Sequence, residues 1–455
     1  MRTLFLPGGK SGASISLLLL CVLLFALGLA GGASRADALG QIVVRTAAAA
    51  ALCVAILAGA RLPRREYGPV GLLLLAALGL ALLQLVPLPP DVWQSLPGRA
   101  LFSEASAVSG QAQPWRPWSI TPGATANAAA SLLVPATALT LMSNLDPKER
   151  ALVPGLILAL VAVSALIGML QFAGAGFNNP LVNDTPGEVS GMMANRNHFA
   201  LLLACGCALA PVWAFADRPT TWRVPIALGL IVLFALVLLA SGSRTGLLVG
   251  ATGCLLGFAI VWQSISRMMR RYPRWVLPTA IAGTVAALSM LVVISITADR
   301  AVAINRVSQL DFSDDTRGRA LPTVLSMIET YFPFGSGLGG FDATFRRHEP
   351  FNLLKVTYFN HAHNDFLEIA LDAGALGILL LAGGIVWWSR ATLRAWKGNG
   401  GRQAYAKLGS ALLLLVMIAS LFDYPARTPL IMALMVVAGL WLCGSRRLHE
   451  NSALP

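Results

Sequence analysis

A chain of 455 residues that is 56% hydrophobic and only 12% charged is not a water-soluble domain, since soluble domains are roughly 25% charged. Its formal net charge of +13 invites a nucleic-acid reading, but the cations collect in short connections between apolar runs, the pattern that retains basic loops on the cytoplasmic side of a membrane. Nucleic acid is therefore excluded as a partner. The six cysteines all fall inside predicted helices and suggest neither disulfides nor a metal or redox centre.

A helix needs about 20 mostly apolar residues to cross hydrocarbon while pairing its own backbone. Such runs are predicted at 13–32, 41–60, 68–88, 125–143, 152–172, 198–216, 224–241, 246–263, 275–297, 364–389, 406–422 and 428–444, giving twelve spans. The fold class expected is an all-α polytopic membrane protein. The first run has a basic start and ends in Gly31-Gly32-Ala33-Ser34, as a signal peptide would, but its apolar stretch is long for a signal core. Lys and Arg alternate along the chain, with basic clusters at Arg61, Arg64 and Arg65, at Arg267, Arg270, Arg271 and Arg274, and from Arg390 to Lys407. By the positive-inside rule these loops and both termini face inward.

The connections after the third, fifth and ninth spans are long, so the working surface is predicted outside. The chain divides into 1–297 with nine spans, a large outer loop at 298–363, and 364–455 with three spans and an inner tail. Within the loop, the apolar stretch Ala320 to Tyr331 predicts a helix lying at the membrane interface.

Four constellations gather on that outer side, in chain order. Asn195-Arg196-Asn197-His198, preceded by Asp184 and Glu188, stands at the mouth of the sixth span. The two asparagines suit helix capping as well as substrate contact, and Arg196 suits a lipid phosphate as well as a ligand. Ser241 to Gly246, SGSRTG, turns tightly between two spans and sets Arg244 at a helix start. There an interfacial anchor and an anion site are both open readings, the latter because free amides and the positive end of the dipole surround a guanidinium. Asp314-Asp315-Thr316-Arg317-Gly318-Arg319 offers either a solvated salt-bridge face or a second cation for a diphosphate held bidentately.

The fourth constellation is His361-Ala362-His363-Asn364-Asp365-Phe366-Leu367-Glu368, leading to Asp372 and Gly374. Asn364, Glu368 and Asp372 recur every four residues and so share a helix face at the membrane boundary, where acids are costly and have cationic partners. A neutral imidazole held by a carboxylate is a suitable base for a sugar hydroxyl. Of the two histidines, His363 is expected to be the base, since it precedes Asn364 and lies nearer the acidic stripe, with His361 further back. The run from Gly335 to Gly340 lacks the strand and acid of a dinucleotide site and reads as a flexible turn.

Taken in order, NRNHFA, SGSRTG, an Arg before an apolar stretch, GSGLGGF and HAHNDFLEIALDAGALG resemble the O-antigen ligase and polysaccharide polymerase superfamily. The LPLPP and SITPGATA segments extend the likeness over most of the chain. That resemblance implies a GT-C-like membrane glycosyltransferase needing no metal and no cofactor. Its donor would be an undecaprenyl-diphosphate-linked glycan at the periplasmic face, and its acceptor a lipid A core or a lipid-linked glycan. It implies His363 as base with Arg244 and Arg317 on the diphosphate. Arg196, Asn195, Arg319, His361, Asn364, Glu368 and Asp372 are the expected substrate contacts, with membrane lipids around the whole. The competing class is a transporter or flippase of a lipid-linked glycan. It also has about twelve spans, but it would set its polar groups near the midplane rather than at the outer ends.

Overall fold

A computed structural model describes residues 14–61, 67–183, 185, 187–216, 222–270, 279, 316–354, 359–398 and 403–444. The described residues are mostly helical. Among the described residues, seven helices are long and apolar enough to cross a membrane: Leu39–Leu57, Pro122–Asn144, Pro147–Phe172, Arg196–Phe215, Arg223–Ala240, Arg244–Met268 and Asp365–Lys397. Four shorter apolar helices, Ile15–Ala30, Gly68–Gln84, Ala404–Ser420 and Pro429–Cys443, fall on other predicted spans. The expected ninth span, 275–297, lies outside the described residues apart from residue 279, as do residues 298–315 of the large loop.

Arg196–Phe215 is the axis of the bundle, and 94% of its apolar window is buried by its neighbours. Its small residues allow this. On the facing helix Gly253 and Gly257 stand four apart, and a methyl group at either would come within 2.5 Å of Ala204 O or 2.8 Å of Ala208 O. Two backbones thus approach where dispersion, rather than apolar burial against water, holds helices together.

At the end of the bundle predicted to face outward, the long connections fold into a compact cap. The two-residue strands Pro87–Leu88 and Arg116–Pro117 pair antiparallel, enclosing the short helices Pro90–Gln94 and Ala100–Val108. The helix expected over Ala320 to Tyr331 is present as Thr316–Tyr331. Ala320, Val324, Met327 and Tyr331 pack against Phe341, Phe345, Leu353 and Leu371, while Leu321 and Leu325 on another side stay exposed. Arg99 ties the two caps together: it is 4% exposed, donates to Trp118 O at 2.8 Å and Gly335 O at 3.2 Å, and lies over the Tyr331 ring.

Candidate active site

The site is built around a connection that attracts little notice in the sequence. Between Ala404–Ser420 and Pro429–Cys443 the chain reads Leu421-Phe422-Asp423-Tyr424-Pro425-Ala426-Arg427-Thr428, and Pro425–Arg427 forms a single 3-10 turn. The prolines at 425 and 429 stop one helix from running into the next. Asp423, Tyr424 and Thr428 are therefore buried at the end of the bundle rather than left in solvent.

Asp423 is the hub. Asn195 Nδ2 and Asn197 Nδ2 donate to its Oδ2 at 3.1 and 2.6 Å, and the Tyr424 amide donates to Oδ1 at 3.1 Å. His363 Nδ1 lies 3.1 Å from Oδ1, and His198 Nε2 lies 3.8 Å from the same oxygen. Burial pushes the Asp423 carboxyl up, but the neighbouring His198 and His363 imidazoles overrule it and hold the group well below the usual carboxylate range. An ionised carboxylate only accepts, so Nδ1 of His363 carries the hydrogen, and in a neutral ring Nε2 holds the lone pair. Three imidazoles crowd the Tyr424 ring, His361 at 4.2 Å and His198 and His363 at 5.0 Å between centroids.

His363 itself has φ of 52°, a left-handed backbone that a non-glycine residue adopts only where its surroundings impose it. Asn364 follows as the cap of Asp365–Lys397, accepting from the amides of Phe366 and Leu367, and its amide donates to Leu421 O. The sequence places Asn364 on the acidic face, and the structure gives it the capping role.

The acids of that helix face one cation. Arg427 lies 3.2 Å from Glu368, 3.4 Å from Asp365 and 3.6 Å from Asp372, and these three carboxylates are essentially inaccessible to solvent. Burial works against the Arg427 charge, but Glu368, Asp372 and Asp365 more than offset it and raise its pKa. The cationic partner expected for the stripe is thus Arg427, which lies outside the motifs read from the sequence. Glu368 also accepts from the Ala362 amide and faces His361 Nδ1, both at 2.8 Å. This corrects the expected placement of the histidines: His361 is the one on the stripe, and His363 is turned away from it to Asp423.

The glycine run packs over the site as expected, but it is pinned rather than flexible. Ser336 and Gly337 amides donate to Leu371 O and Asp372 O at 2.9 Å, and the Gly339 amide donates to Asp372 Oδ2 at 3.0 Å. Gln84, fully buried, joins the same knot by donating to Asp372 O and accepting from the Leu338 amide. The partner surface is a kink at Gly374, with φ 55° and ψ −142°, where an added methyl would run into Pro333 O. Only glycine holds that conformation without strain. Gly374→Ala is expected to destabilise the protein by about 1–3 kcal/mol or more, read as a lowered midpoint in a detergent melt. An unchanged midpoint would mean that the kink relaxes freely.

The remaining predicted site residues separate into those joined to the hub and those apart from it. Asn195 caps Arg196–Phe215 and Asn197 spans from Asp423 to Ser243, whose hydroxyl donates to Asn197 Oδ1 at 2.7 Å. Ser243 also caps the next helix by accepting from the Gly246 amide, which seats exposed Arg244 in the first turn of that helix. Arg196 pairs with Glu188 at 3.0 Å. Arg319 donates to Asn352 O at 2.8 Å, within the cap. Arg317 is in the first turn of Thr316–Tyr331, and its side chain and Asp184 lie outside the described residues.

A mostly helical chain with several apolar helices of membrane-crossing length and an acid-held histidine pair at one end of its bundle fits a multi-pass membrane protein with a polar candidate site. Residues 229–382, about a third of the chain, match the family model described as O-antigen ligase, which supports the resemblance to the O-antigen ligase and polysaccharide polymerase superfamily. The matched stretch contains SGSRTG, the glycine run and both site histidines, while Asn195, His198, Asp423 and Arg427 fall outside it. A comparison with curated proteins finds no match. The match and the apolar helices together support a multi-pass membrane enzyme of glycosyltransferase type.

Proposed function

We propose that the protein transfers a glycan from an undecaprenyl-diphosphate carrier to a sugar hydroxyl at the periplasmic face, in O-antigen or exopolysaccharide assembly, as ligase or polymerase. The observation that carries this reading is the His363–Asp423 pair. Asp423 fixes the tautomer, Nε2 of His363 takes the proton of the acceptor hydroxyl, and the acceptor oxygen bonds the anomeric carbon as the carbon–oxygen bond to the diphosphate breaks. In-line displacement of this kind inverts the anomeric centre. Arg244, in the first turn of its helix, and Arg317 neutralise charge growing on the departing diphosphate, so no metal is required.

An apolar cleft of about 420 Å³ supports a lipid-linked donor. It begins at Leu338, Ile369 and Ala426 beside the Arg427 cluster and ends at Trp387, Trp388 and Gly439. At about 1.5 Å per residue, the stretch from Ile369 to Trp388 is about 28 Å long, close to the roughly 30 Å of hydrocarbon. A polyprenyl chain would fill it.

The test is transfer from a purified lipid-linked donor in excess chelator. Product is expected under those conditions, and strict dependence on added magnesium would contradict the arginine reading. Arg244→Lys should lose most of the activity while inserting normally, because a point charge does not make a forked contact with diphosphate. Full activity in that variant would reduce Arg244 to an interfacial anchor. Deleting the gene separates the two branches: single repeats left on lipid A core indicate a polymerase, and accumulated lipid-linked long chains indicate a ligase.

A further inference from the structure

The two asparagines that flank Arg196 have different jobs. Asn195 caps the helix with its side-chain oxygen and reaches Asp423 with its amide at 3.1 Å. Asn197, inside the first turn and half-buried, caps nothing with its side chain and instead joins two other elements. Its Nδ2 donates to Asp423 Oδ2 at 2.6 Å, closer than the 3.1 Å of the Asn195, His363 and Tyr424 bonds to that carboxylate. Its Oδ1 accepts from Ser243 Oγ at 2.7 Å.

Neither end of this amide is interchangeable. An ionised carboxylate only accepts, so the nitrogen must face Asp423. Ser243 Oγ already accepts from the Gly246 amide at 2.9 Å, so its hydrogen is the one that reaches Asn197. Bonds of one sense thus run from Ser243 through Asn197 to Asp423, and each polarises the next.

The bridge has two ends that matter. At one, the asparagine amides occupy Oδ2 of Asp423 and leave Oδ1 to face His363 Nδ1, so the carboxylate does not turn away from the ring without breaking both. At the other, buried Ser243 caps the helix whose first residue is Arg244. The two helix starts also touch directly, because a methyl group at Gly246 would come within 2.4 Å of Ala200 Cβ.

We infer that Asn197 is a positioning residue of the transfer reaction, which locks Asp423 in the rotation that orients His363 and does so from the helix start that carries Arg244. The inference rests on the transfer reaction proposed above. Leucine at 197 fills the same space without polar atoms. Aspartate keeps the shape, but while ionised it sets a second acceptor and a like charge against Asp423. Once it takes up a proton it again has one donor and one acceptor, as the amide does.

The experiment is single-turnover transfer from a purified lipid-linked donor by the whole protein in nanodiscs, with each rate divided by that of wild type at the same pH. Asn197→Leu should lose about 100-fold in the chemical step, the order of loss that a misplaced catalytic group brings, at every pH. Asn197→Asp should be as poor near pH 8 and recover about tenfold or more relative to wild type near pH 5.5, as the introduced carboxyl is protonated. His198, His363 and the Arg196–Glu188 pair are common to all these proteins, so the ratio isolates residue 197. Ser243→Ala, which frees the far end of the amide, should lose about tenfold. A purely structural role would not give the pH-dependent recovery. Ratios flat with pH in Asn197→Asp, or an Asn197→Leu rate close to wild type, overturn the positioning role, and a Ser243→Ala rate close to wild type overturns the bridge. If Asn197→Leu does not fold, the Asn197→Asp ratio decides alone. A wild-type protein that makes no product from any lipid-linked donor overturns the transfer reaction itself, an outcome distinct from loss in the variants only.

Discussion

His363→Ala is expected to lose about 100-fold to 10,000-fold in the chemical step, with binding of the lipid-linked donor nearly intact, because general-base catalysis contributes that much. Asp423→Asn should reproduce most of this loss. The amide keeps the carboxylate's shape but offers a donor where the imidazole needs an acceptor, so Nδ1 and Nε2 exchange roles and the base nitrogen faces the wrong way. His361→Ala should cost far less, since its carboxylate is Glu368, which Arg427 and the Ala362 amide also hold. Single-turnover transfer at matched expression distinguishes these cases. A dead His361→Ala with a nearly normal His363→Ala would move the base to the other ring, and activity in both would remove the histidine mechanism.

The pH dependence of the hub has a definite sign. The Asp423 carboxyl is held below its ordinary value, so its contribution to the folded site is present above the unfolded carboxylate pKa. It is lost only as pH falls through the depressed native value. Across the neutral range the carboxylate that orients His363 is therefore constant.

Arg427→Met should be the most damaging single change to the fold. Removing one partner from a buried ionic cluster costs about 3–5 kcal/mol because the opposite charges lose their compensation, and here three carboxylates face one guanidinium. The expected observations are a sharply lower detergent-melt midpoint and poor recovery of monodisperse protein. Arg427→Lys should recover only part of the loss, since a single ammonium does not reach Asp365, Glu368 and Asp372 together. A wild-type melt for Arg427→Met would show that those acids are held neutral by other means.

The helices were legible because twenty apolar residues in a row have few alternatives, and eleven predicted spans coincide with apolar helices. The asparagine caps and the helix ending at Tyr331 were legible for similarly local reasons. Asp423 and Arg427 were not. Each sits in a short connection about 60 residues from His363 and Glu368, where an acid and a base near a proline look like an ordinary loop. An available signal was arithmetic: the acidic stripe demanded a buried cation, and Arg427 is the basic residue between the last two spans. The assignment of His361 to the stripe also escaped the sequence, because the left-handed turn at His363 reverses the directions that simple spacing predicts.

The placement of Asp423 has a consequence for anyone who cuts and joins these proteins. The stretch that carries the family likeness ends at residue 382, yet the carboxylate that holds its histidine comes from a hairpin some 40 residues later. A chimera that grafts 229–382 onto a relative's remaining helices imports a histidine whose orienting acid is supplied by a stranger. Whether such a graft works should depend on the recipient's last hairpin, so exchanges that carry 229–444 as one unit are the ones expected to keep their chemistry.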